Sequence, residues 1–268
     1  MTQTSDFDPQ ALIDTANRLA DAAAEVTLKH FRSTSLGTEN KEPDDYDPVT
    51  IADRGAEEAM RKILAVERPQ DGIFGEEFEN FEGESGLTWV LDPIDGTRGF
   101  VSGTPTWGTL IAVGPESGPI LGIVDQPYIG ERFIGGLGLA ELRYRGTTSP
   151  LKTRPVCPLA EATIFTTFPE VGTEDEGAAF HRVARQCRLT RYGTDCYAYA
   201  LLAAGQIDLV IEAGLKAYDI QGPLAVIEAA GGKVTNWEGG PVHMGGRVIA
   251  AANAEIYDEA MELLQGTA

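Results

Sequence analysis

Residues 92–97 read Asp-Pro-Ile-Asp-Gly-Thr, and they directly follow an apolar run at residues 87–91. An apolar run of this length that ends in a turn is typical of a buried strand. Pro93 is expected to end the strand, and Gly96 permits a tight turn or a close approach of the backbone. The sequence therefore predicts two carboxylates, Asp92 and Asp95, at the end of a buried strand.

The residue types in this hexapeptide indicate a particular chemistry. Oxygen ligands suit Mg²⁺, so two carboxylates at one strand end can share such an ion. Gly96 and Thr97 are then expected to open a helix whose free N–H groups can hold a phosphate. The hexapeptide thus predicts a site at which a metal ion meets a phosphate group.

The charge balance restricts the partners that the chain can have. Its 268 residues include 41 acidic and 21 basic side chains, which gives a formal net charge of −20. Such a chain disfavours binding to nucleic acid or to an anionic membrane. It also repels a phosphorylated substrate at long range, so local cations would have to offset this field.

Targeting signals and cysteine usage point to the cytoplasm. No apolar stretch is long enough to span a bilayer, and the polar, acidic first eight residues do not resemble a secretory signal. The three cysteines are odd in number and lack a Cys-x-x-Cys spacing, which favours a reducing compartment and argues against a cysteine zinc site. We therefore expect a cytoplasmic protein without a nucleic-acid or membrane partner.

Hydrophobic periodicity predicts an α/β chain in two halves. Residues 1–146 contain two helical patterns, at 12–26 and 50–66, and later a pair of antiparallel strand patterns. In residues 147–268 strand and helix patterns alternate, which argues for a layered α/β architecture. We place the boundary near residues 146–150.

Further acidic residues stand out because each lies at the end of a predicted element. They are Glu76 and Glu77 after a short apolar strand, Asp219 before an apolar helix, and Asp53 early in the second helix. Each also has a structural interpretation as a solvated loop charge, a helix cap or a first-turn carboxylate. Their joint order along the chain favours a shared metal site.

This joint pattern resembles the inositol monophosphatase superfamily of Mg²⁺-dependent, lithium-sensitive sugar and polyol phosphatases. The resemblance covers nearly the whole chain and is anchored by residues 47–53, 75–77, 89–97, 218–219 and 231–232. It implies a layered α/β/α/β/α sandwich of the inositol monophosphatase and fructose-1,6-bisphosphatase type, with the site between two halves. It also implies a homodimer that acts on a small phosphorylated substrate.

The resemblance assigns metal ligands residue by residue. Glu76, Asp92 and the carbonyl of Ile94 would hold a first Mg²⁺. Asp92, Asp95 and Asp219 would hold a second. The family uses two or three ions in each active site.

The resemblance also implies roles around the phosphate. Asp53 and Thr97 would orient the attacking water, with Glu76 in the same catalytic set. The backbone of Gly96 and Thr97 would bind the phosphate. No covalent nucleophile is expected, because no cysteine lies in a Cys-x5-Arg phosphate loop.

A third, weaker ion near Glu76 is a further expectation of the resemblance. Its possible ligands are Glu77 and Asp44. Asp44 lies in an acidic segment, residues 40–47, that is slightly longer than in the inositol enzymes. We expect this segment to form a mobile flap over the site.

The second half is expected to select the substrate. Residues 98–103, 122–127, 193–199 and 213–221 look most like the histidinol-phosphatase branch of the superfamily. Asp195 and Glu212 would pair with the ammonium and imidazole groups of histidinol phosphate. The structural alternatives are that Asp195 caps the next helix and that Glu212 is a rim charge.

Three functions therefore stay open. The first is a histidinol-phosphate phosphatase of histidine biosynthesis. The second keeps the mechanism and acts on inositol monophosphate or a related sugar or nucleotide phosphate. The third, of a different class, is a non-catalytic regulatory protein that has kept the fold.

Overall fold

The computed structural model describes residues 7–33, 39–40 and 48–266. The described residues form seven α-helices: α1 (Pro9–His30), α2 (Ile51–Glu67), α3 (Thr97–Ser102), α4 (Glu174–Ala184), α5 (Tyr197–Ala203), α6 (Ala217–Ala229) and α7 (Ala254–Gln265). None of them is long and apolar enough to cross a membrane.

The strands of the described residues form a short hairpin and two sheets. The hairpin strands are β1 (Glu39–Asn40) and β2 (Pro48–Val49). The first sheet contains β3 (Gly72–Gly75), β4 (Thr88–Asp95), β5 (Gly108–Gly114), β6 (Leu121–Gln126), β7 (Glu131–Gly136), β8 (Leu139–Tyr144) and β9 (Thr147–Pro150). The second contains β10 (Thr163–Thr166), β11 (Leu189–Tyr192), β12 (Leu209–Leu215), β13 (Lys233–Asn236) and β14 (Gly246–Ala251).

The first sheet is largely an antiparallel meander. Its seven strands follow chain order from β3 to β9, and only the pair β3–β4 is parallel. The second sheet has the order β11-β10-β12-β14-β13, with β10 parallel to both of its neighbours. The alternation predicted for the second half thus produces a mixed sheet.

Three hydrophobic clusters connect these elements into five layers. The apolar faces of α1 and α2 pack on the outer face of the first sheet. Helices α5 and α6 lie between the two sheets, and α4 and α7 cover the far face of the second sheet. The layer order α/β/α/β/α confirms the predicted sandwich.

Two glycines let α6 approach the first sheet closely. A Cβ atom on Gly122 would lie 2.3 Å from the carbonyl oxygen of Gly222, and one on Gly135 would lie 2.4 Å from Cα of Val226. Real Cβ atoms essentially never show such contacts, so both strand positions need glycine. This packing brings the first turn of α6, which carries Asp219, to the end of β4.

The strand just after residue 146 and a helix of the second half both contact the first sheet, which bears on the predicted division into residues 1–146 and 147–268. Strand β9 (Thr147–Pro150) pairs with β8 and so belongs to the first sheet. Helix α6, from the second half, shares a core with both sheets. The division into two domains stays a prediction.

The expectation that Pro93 ends its strand is wrong. Strand β4 continues through Pro93 to Asp95, and its register against β5 shifts between Asp92 and Asp95. Pro93 has no N–H for the ladder, but such an irregularity takes it out of the regular pairing, and Thr109 Oγ1 donates a hydrogen bond of 2.8 Å to its carbonyl oxygen. On a regular strand Asp92 and Asp95 would point to opposite faces, and the irregular register is consistent with both carboxylates lying in one cluster.

Candidate active site

Three aspartates meet where β4 ends beside the first turn of α6. One carboxylate oxygen from each of Asp92, Asp95 and Asp219 lies within 4.8 Å of the others. Asp92 is buried, and the other two are partly buried. The predicted second-ion ligands are therefore close enough to share one cation.

The electrostatics of this cluster favour a cation. Burial raises the pKa of Asp92 well above its ordinary value, and the charges of Glu76, Asp95 and Asp219 raise it further. Burial and the charge of Asp219 likewise raise the pKa of Asp95, and burial raises that of Asp219 to about 6. Hard oxygen donors that repel one another in a buried site fit Mg²⁺, whose charge would relieve the repulsion.

Backbone donors hold each of these carboxylates in place. Asp92 Oδ1 accepts a hydrogen bond of 3.0 Å from the N–H of Ile94. Asp95 Oδ2 accepts one of 2.6 Å from the N–H of Cys196, and Asp219 Oδ2 accepts one of 2.7 Å from the N–H of Lys216. Asp219 is not the N-cap of α6, which is Lys216, but its side chain accepts the N–H of that N-cap and so closes the first turn of the helix while lying in the cluster.

Glu76 joins the cluster from the turn after β3, and the buried Glu57 supports that turn. Glu57 Oε2 accepts a hydrogen bond of 2.7 Å from the N–H of Glu77, while Glu57 Oε1 lies 2.8 Å from Arg61 Nε. A Cβ on Gly75 would lie only 2.0 Å from Glu57 Oε1, so a side chain there would displace the carboxylate that holds the turn. Sequence reasoning missed Glu57, because a glutamate within an amphipathic helix ordinarily indicates a solvated face.

Of the two possible ligands of a third ion, the structure describes Glu77 but not Asp44. The Glu77 side chain is only 2% exposed, and its Oε2 atom is 4.0 Å from Arg54 Nε. Glu77 is not among the residues that line the cavity described below. Asp44, with the predicted flap around it, lies outside the described residues, so the third ion stays a prediction.

Thr97 and Asp53 form the predicted pair at the start of α3. Thr97 Oγ1 lies 3.4 Å from Asp53 Oδ1 and 3.0 Å from the carbonyl oxygen of Ile94. Asp53 is fully buried, and its other oxygen accepts hydrogen bonds from the N–H and the hydroxyl of Thr50. Asp53 therefore closes a capping box at α2 and also reaches the threonine.

Gly96 begins α3 in the left-handed region, with φ of +83°. It provides no side chain that could accept the N–H groups of the first turn. Helix α3 thus begins as predicted, with backbone donors beside the acidic cluster.

One cavity of about 330 Å³ collects nearly all the predicted site residues. It lies between the two sheets. Its lining includes Glu76, Asp92, Ile94, Asp95, Gly96, Thr97, Asp195, Glu212 and Asp219.

Asp195 lies against the start of α3 and does not cap α5. The N-cap of α5 is Cys196, and no side chain caps it. Asp195 has φ of +44°, and its Oδ2 atom accepts a hydrogen bond of 3.1 Å from Thr106 Oγ1. A Cβ on Gly96 would lie 2.8 Å from Cβ of Asp195, so the two backbones meet closely. The capping alternative for Asp195 is wrong.

Glu212 is a buried group on β12 and not a rim charge. Its side chain accepts hydrogen bonds of 2.8 Å from the N–H of Thr167 and 2.9 Å from the hydroxyl of Tyr199. Burial raises its pKa, and these two donors oppose the rise. Two carboxylates thus lie in the cavity beyond the aspartate cluster.

The layered fold holds buried carboxylates and free backbone donors in one cavity, an arrangement suited to a metal ion and a phosphate. The model of the inositol monophosphatase family matches residues 8–267, so the chain belongs to that family. The resemblance inferred from the sequence motifs is confirmed.

Three relatives show how the similarity is distributed. The chain is 41% identical to the chloroplastic bifunctional phosphatase IMPL2 of Arabidopsis thaliana, over 98% of this chain and 78% of that protein. It is 35% identical to a histidinol-phosphatase of Streptomyces coelicolor, over 93% and 95% of the two chains. The solved structure of an inositol monophosphatase from Zymomonas mobilis superposes with a TM-score of 0.83 at 40% identity, covering 96% of this chain and 98% of that one.

Proposed function

We propose that this chain is a Mg²⁺-dependent phosphatase and that its substrate is histidinol phosphate. The observation that carries the proposal is the buried cluster of Asp92, Asp95 and Asp219 beside the first turn of α3 in one cavity. Carboxylates that repel one another suit divalent ions, and the adjacent backbone donors suit a phosphate.

The residues divide into two metal sites. Glu76, Asp92 and the carbonyl of Ile94 would hold one Mg²⁺, and Asp92, Asp95 and Asp219 a second. When bound, Mg²⁺ supplies water acidified for attack at neutral pH and stabilises negative charge on the leaving oxygen. The bound ions would offset, close to the phosphate, part of the chain's net charge of −20.

Thr97 and Asp53 would orient and deprotonate the attacking water. The Thr97 hydroxyl can donate a hydrogen bond to the buried Asp53 carboxylate, which leaves its oxygen lone pair to accept a hydrogen bond from water. As the water attacks, its proton would pass to the Thr97 oxygen while the hydroxyl proton of Thr97 passes to Asp53. This is general-base assistance through a hydroxyl. The backbone N–H groups at Gly96 and Thr97 would receive the phosphate oxygens.

Replacing Thr97 by alanine is expected to lower kcat by about a hundredfold, because the water loses its link to Asp53. Thr97→Ser keeps the hydroxyl and should retain most of the rate. Steady-state phosphate release measures the effect, and calorimetry should show unchanged Mg²⁺ binding. An alanine variant that turns over at the wild-type rate would remove Thr97 from the mechanism.

The choice of histidinol phosphate rests on two further carboxylates of the cavity. Asp195 and Glu212 line it beside the aspartate cluster, and either carboxylate can accept a hydrogen bond from the ammonium or imidazole of that ester. A neutral polyol gains less from two additional carboxylates. The histidinol-phosphatase named among the relatives supports the same choice.

Inositol monophosphate is the alternative substrate, favoured by the solved inositol monophosphatase at 40% identity. A panel of histidinol phosphate, inositol 1-phosphate, a sugar phosphate and a nucleotide monophosphate, each with added Mg²⁺, separates the two. We expect the highest kcat/KM for histidinol phosphate. A higher kcat/KM for inositol 1-phosphate would refute the substrate assignment and leave the mechanism intact.

A non-catalytic regulatory role is the alternative of another class. Phosphate release that appears with Mg²⁺ and disappears with EDTA would exclude it. We also propose, from the family resemblance, a cytoplasmic homodimer without a nucleic-acid or membrane partner. Light scattering on the purified protein would measure the oligomeric state, and a monomer would refute the dimer.

A further inference from the structure

An aromatic ring and a guanidinium group form one wall of the cavity outside the metal cluster. Phe168 follows β10 of the second sheet, and Arg98 follows Thr97 in α3. The Arg98 guanidinium carbon lies over the Phe168 ring, 5.0 Å from its centroid. Both residues line the cavity. Contact between them therefore bridges the two sides of the site.

The exposure of Phe168 is not explained by packing. The residue is 47% exposed and belongs to none of the hydrophobic clusters of the described residues. A single exposed apolar side chain is ordinary, but this one lines a cavity and has a cation over its ring. Such a ring is a ready surface for stacking by a bound molecule.

We propose that Phe168 is the residue that selects the leaving group, and that Arg98 holds its ring in position. The inference rests on the proposed phosphatase function and names the substrate class: a phosphate monoester whose alcohol carries a planar nitrogen heterocycle. The heterocycle stacks on Phe168 while the phosphate lies at the start of α3.

The neighbouring polar groups fit this class. Asp195 and Glu212 line the same cavity and present carboxylate oxygens. A nitrogen heterocycle offers both a planar face for Phe168 and N–H donors for these acceptors. A polyol offers hydroxyl groups but no planar π face.

Replacing Phe168 by alanine tests the inference directly. We expect KM for histidinol phosphate to rise about tenfold, equivalent to about 1.4 kcal/mol, with little change in kcat. Stacking of the leaving group is equally present before and during reaction, so its loss weakens binding without slowing chemistry. KM for glycerol 2-phosphate, which has no ring, should not change.

A matched control uses a phenylalanine of similar exposure elsewhere. Phe81 is 51% exposed and is not among the residues that line the cavity. Phe81→Ala should leave both KM values at the wild-type level. Thermal melts of both variants should confirm that they are folded.

Arg98 is tested as a positioning residue by two substitutions. Arg98→Ala should raise KM for histidinol phosphate and leave KM for glycerol 2-phosphate nearly unchanged. Arg98→Lys keeps a cation near the ring and should restore most of the affinity. A kcat loss common to both esters would instead place Arg98 at the phosphate and overturn its assigned role.

The outcomes separate the inference from the function beneath it. If the wild type hydrolyses histidinol phosphate but Phe168→Ala changes KM equally for both esters, or for neither, the stacking inference is wrong and the phosphatase proposal stands. If the wild type releases no phosphate from any ester with Mg²⁺, the proposed function fails and the inference falls with it.

Discussion

Replacing Asp92 by asparagine is expected to reduce phosphate release at least about a thousandfold, and at the same time to stabilise the metal-free protein. Asp92 is the one side chain assigned to both metal sites. Its removal deprives each ion of a charged ligand, so activity should be lost even with excess Mg²⁺. The gain in stability has the opposite sign from that of most substitutions of buried residues.

The physical reason for the stability gain is the environment of this carboxylate. Burial disfavours its charge, and Glu76, Asp95 and Asp219 repel it, which is why its pKa is raised well above the ordinary value. Without metal, the folded protein carries this cost at neutral pH, either as repulsion of the charged carboxylate or as the cost of keeping it protonated. Asparagine keeps the shape of the side chain and removes the charge.

Asp208→Asn is a matched control for this substitution. Asp208 is also fully buried, but its Oδ2 atom lies 2.9 Å from Arg154 Nη1 and accepts a hydrogen bond of 2.8 Å from the N–H of Thr163. Removing that charge takes away the ion-pair partner of Arg154, which keeps only its hydrogen bond to the carbonyl oxygen of Gly205, so stability should fall while turnover persists. Urea unfolding in EDTA measures both variants. Asp92→Asn that is less stable than wild type, or that still turns over, would contradict the assignment.

The metal-free protein is also expected to lose stability as the pH rises from about 4 to about 6, through the buried acids. Burial raises the pKa of both Asp219 and Asp195 from 3.8 to about 6. Between these values the folded state binds more protons than the unfolded state, so stability is greatest at the acidic end. Above about pH 6 the penalty is complete, on the order of 3 kcal/mol for each group.

A difference measurement isolates this effect from the other carboxylates. In EDTA, the stability advantage of Asp219→Asn over the wild type should be larger at pH 7 than at pH 5. Glu67→Gln is the control of opposite sign. The hydrogen bond from Arg18 lowers the pKa of Glu67, so the stability that Glu67 contributes is present at neutral pH and is lost on acidification. An Asp219→Asn advantage that stays constant or shrinks toward pH 7 would refute the account of the cluster.

Added Mg²⁺ should offset the stability that the metal-free wild type loses at neutral pH, and it should do so in the wild type but not in Asp92→Asn. A ligand at one hundred times its dissociation constant stabilises the folded state by about 2.7 kcal/mol. The wild type at pH 7 should therefore gain stability with Mg²⁺, while Asp92→Asn should gain little.

The residues predicted the local part of the acidic cluster, Asp92 and Asp95, whereas Asp219 and Glu76 were assigned to it by the family resemblance. Asp92, Asp95 and Gly96 follow one another on a strand and turn, and the hexapeptide contains both the carboxylates and the first turn of a helix. The positions of the long helices and central strands followed from periodicity. Short exposed strands such as β9 and β11 were not predicted, since their residues show no apolar alternation.

Sequence reasoning was wrong or incomplete at positions whose structure depends on contacts between residues far apart in the chain. Pro93 remains inside β4 because an irregular register against β5 accommodates it. Glu57 supports the turn of Glu76 from a distant helix, and no local pattern indicates that contact. Asp195 resembled a cap in sequence, yet its side chain bonds Thr106, 89 positions earlier in the chain. The stacking of Arg98 on Phe168 likewise joins residues far apart in sequence.

Anomalous diffraction from a crystal soaked in Mn²⁺ tests the central claim most directly, because Mn²⁺ accepts the same oxygen ligands as Mg²⁺ and can be located by its own scattering. We predict a peak in contact with the carboxylates of Asp92, Asp95 and Asp219, and a second beside Asp92 and Glu76. A map from an intact, folded crystal with no peak at these carboxylates would contradict the account.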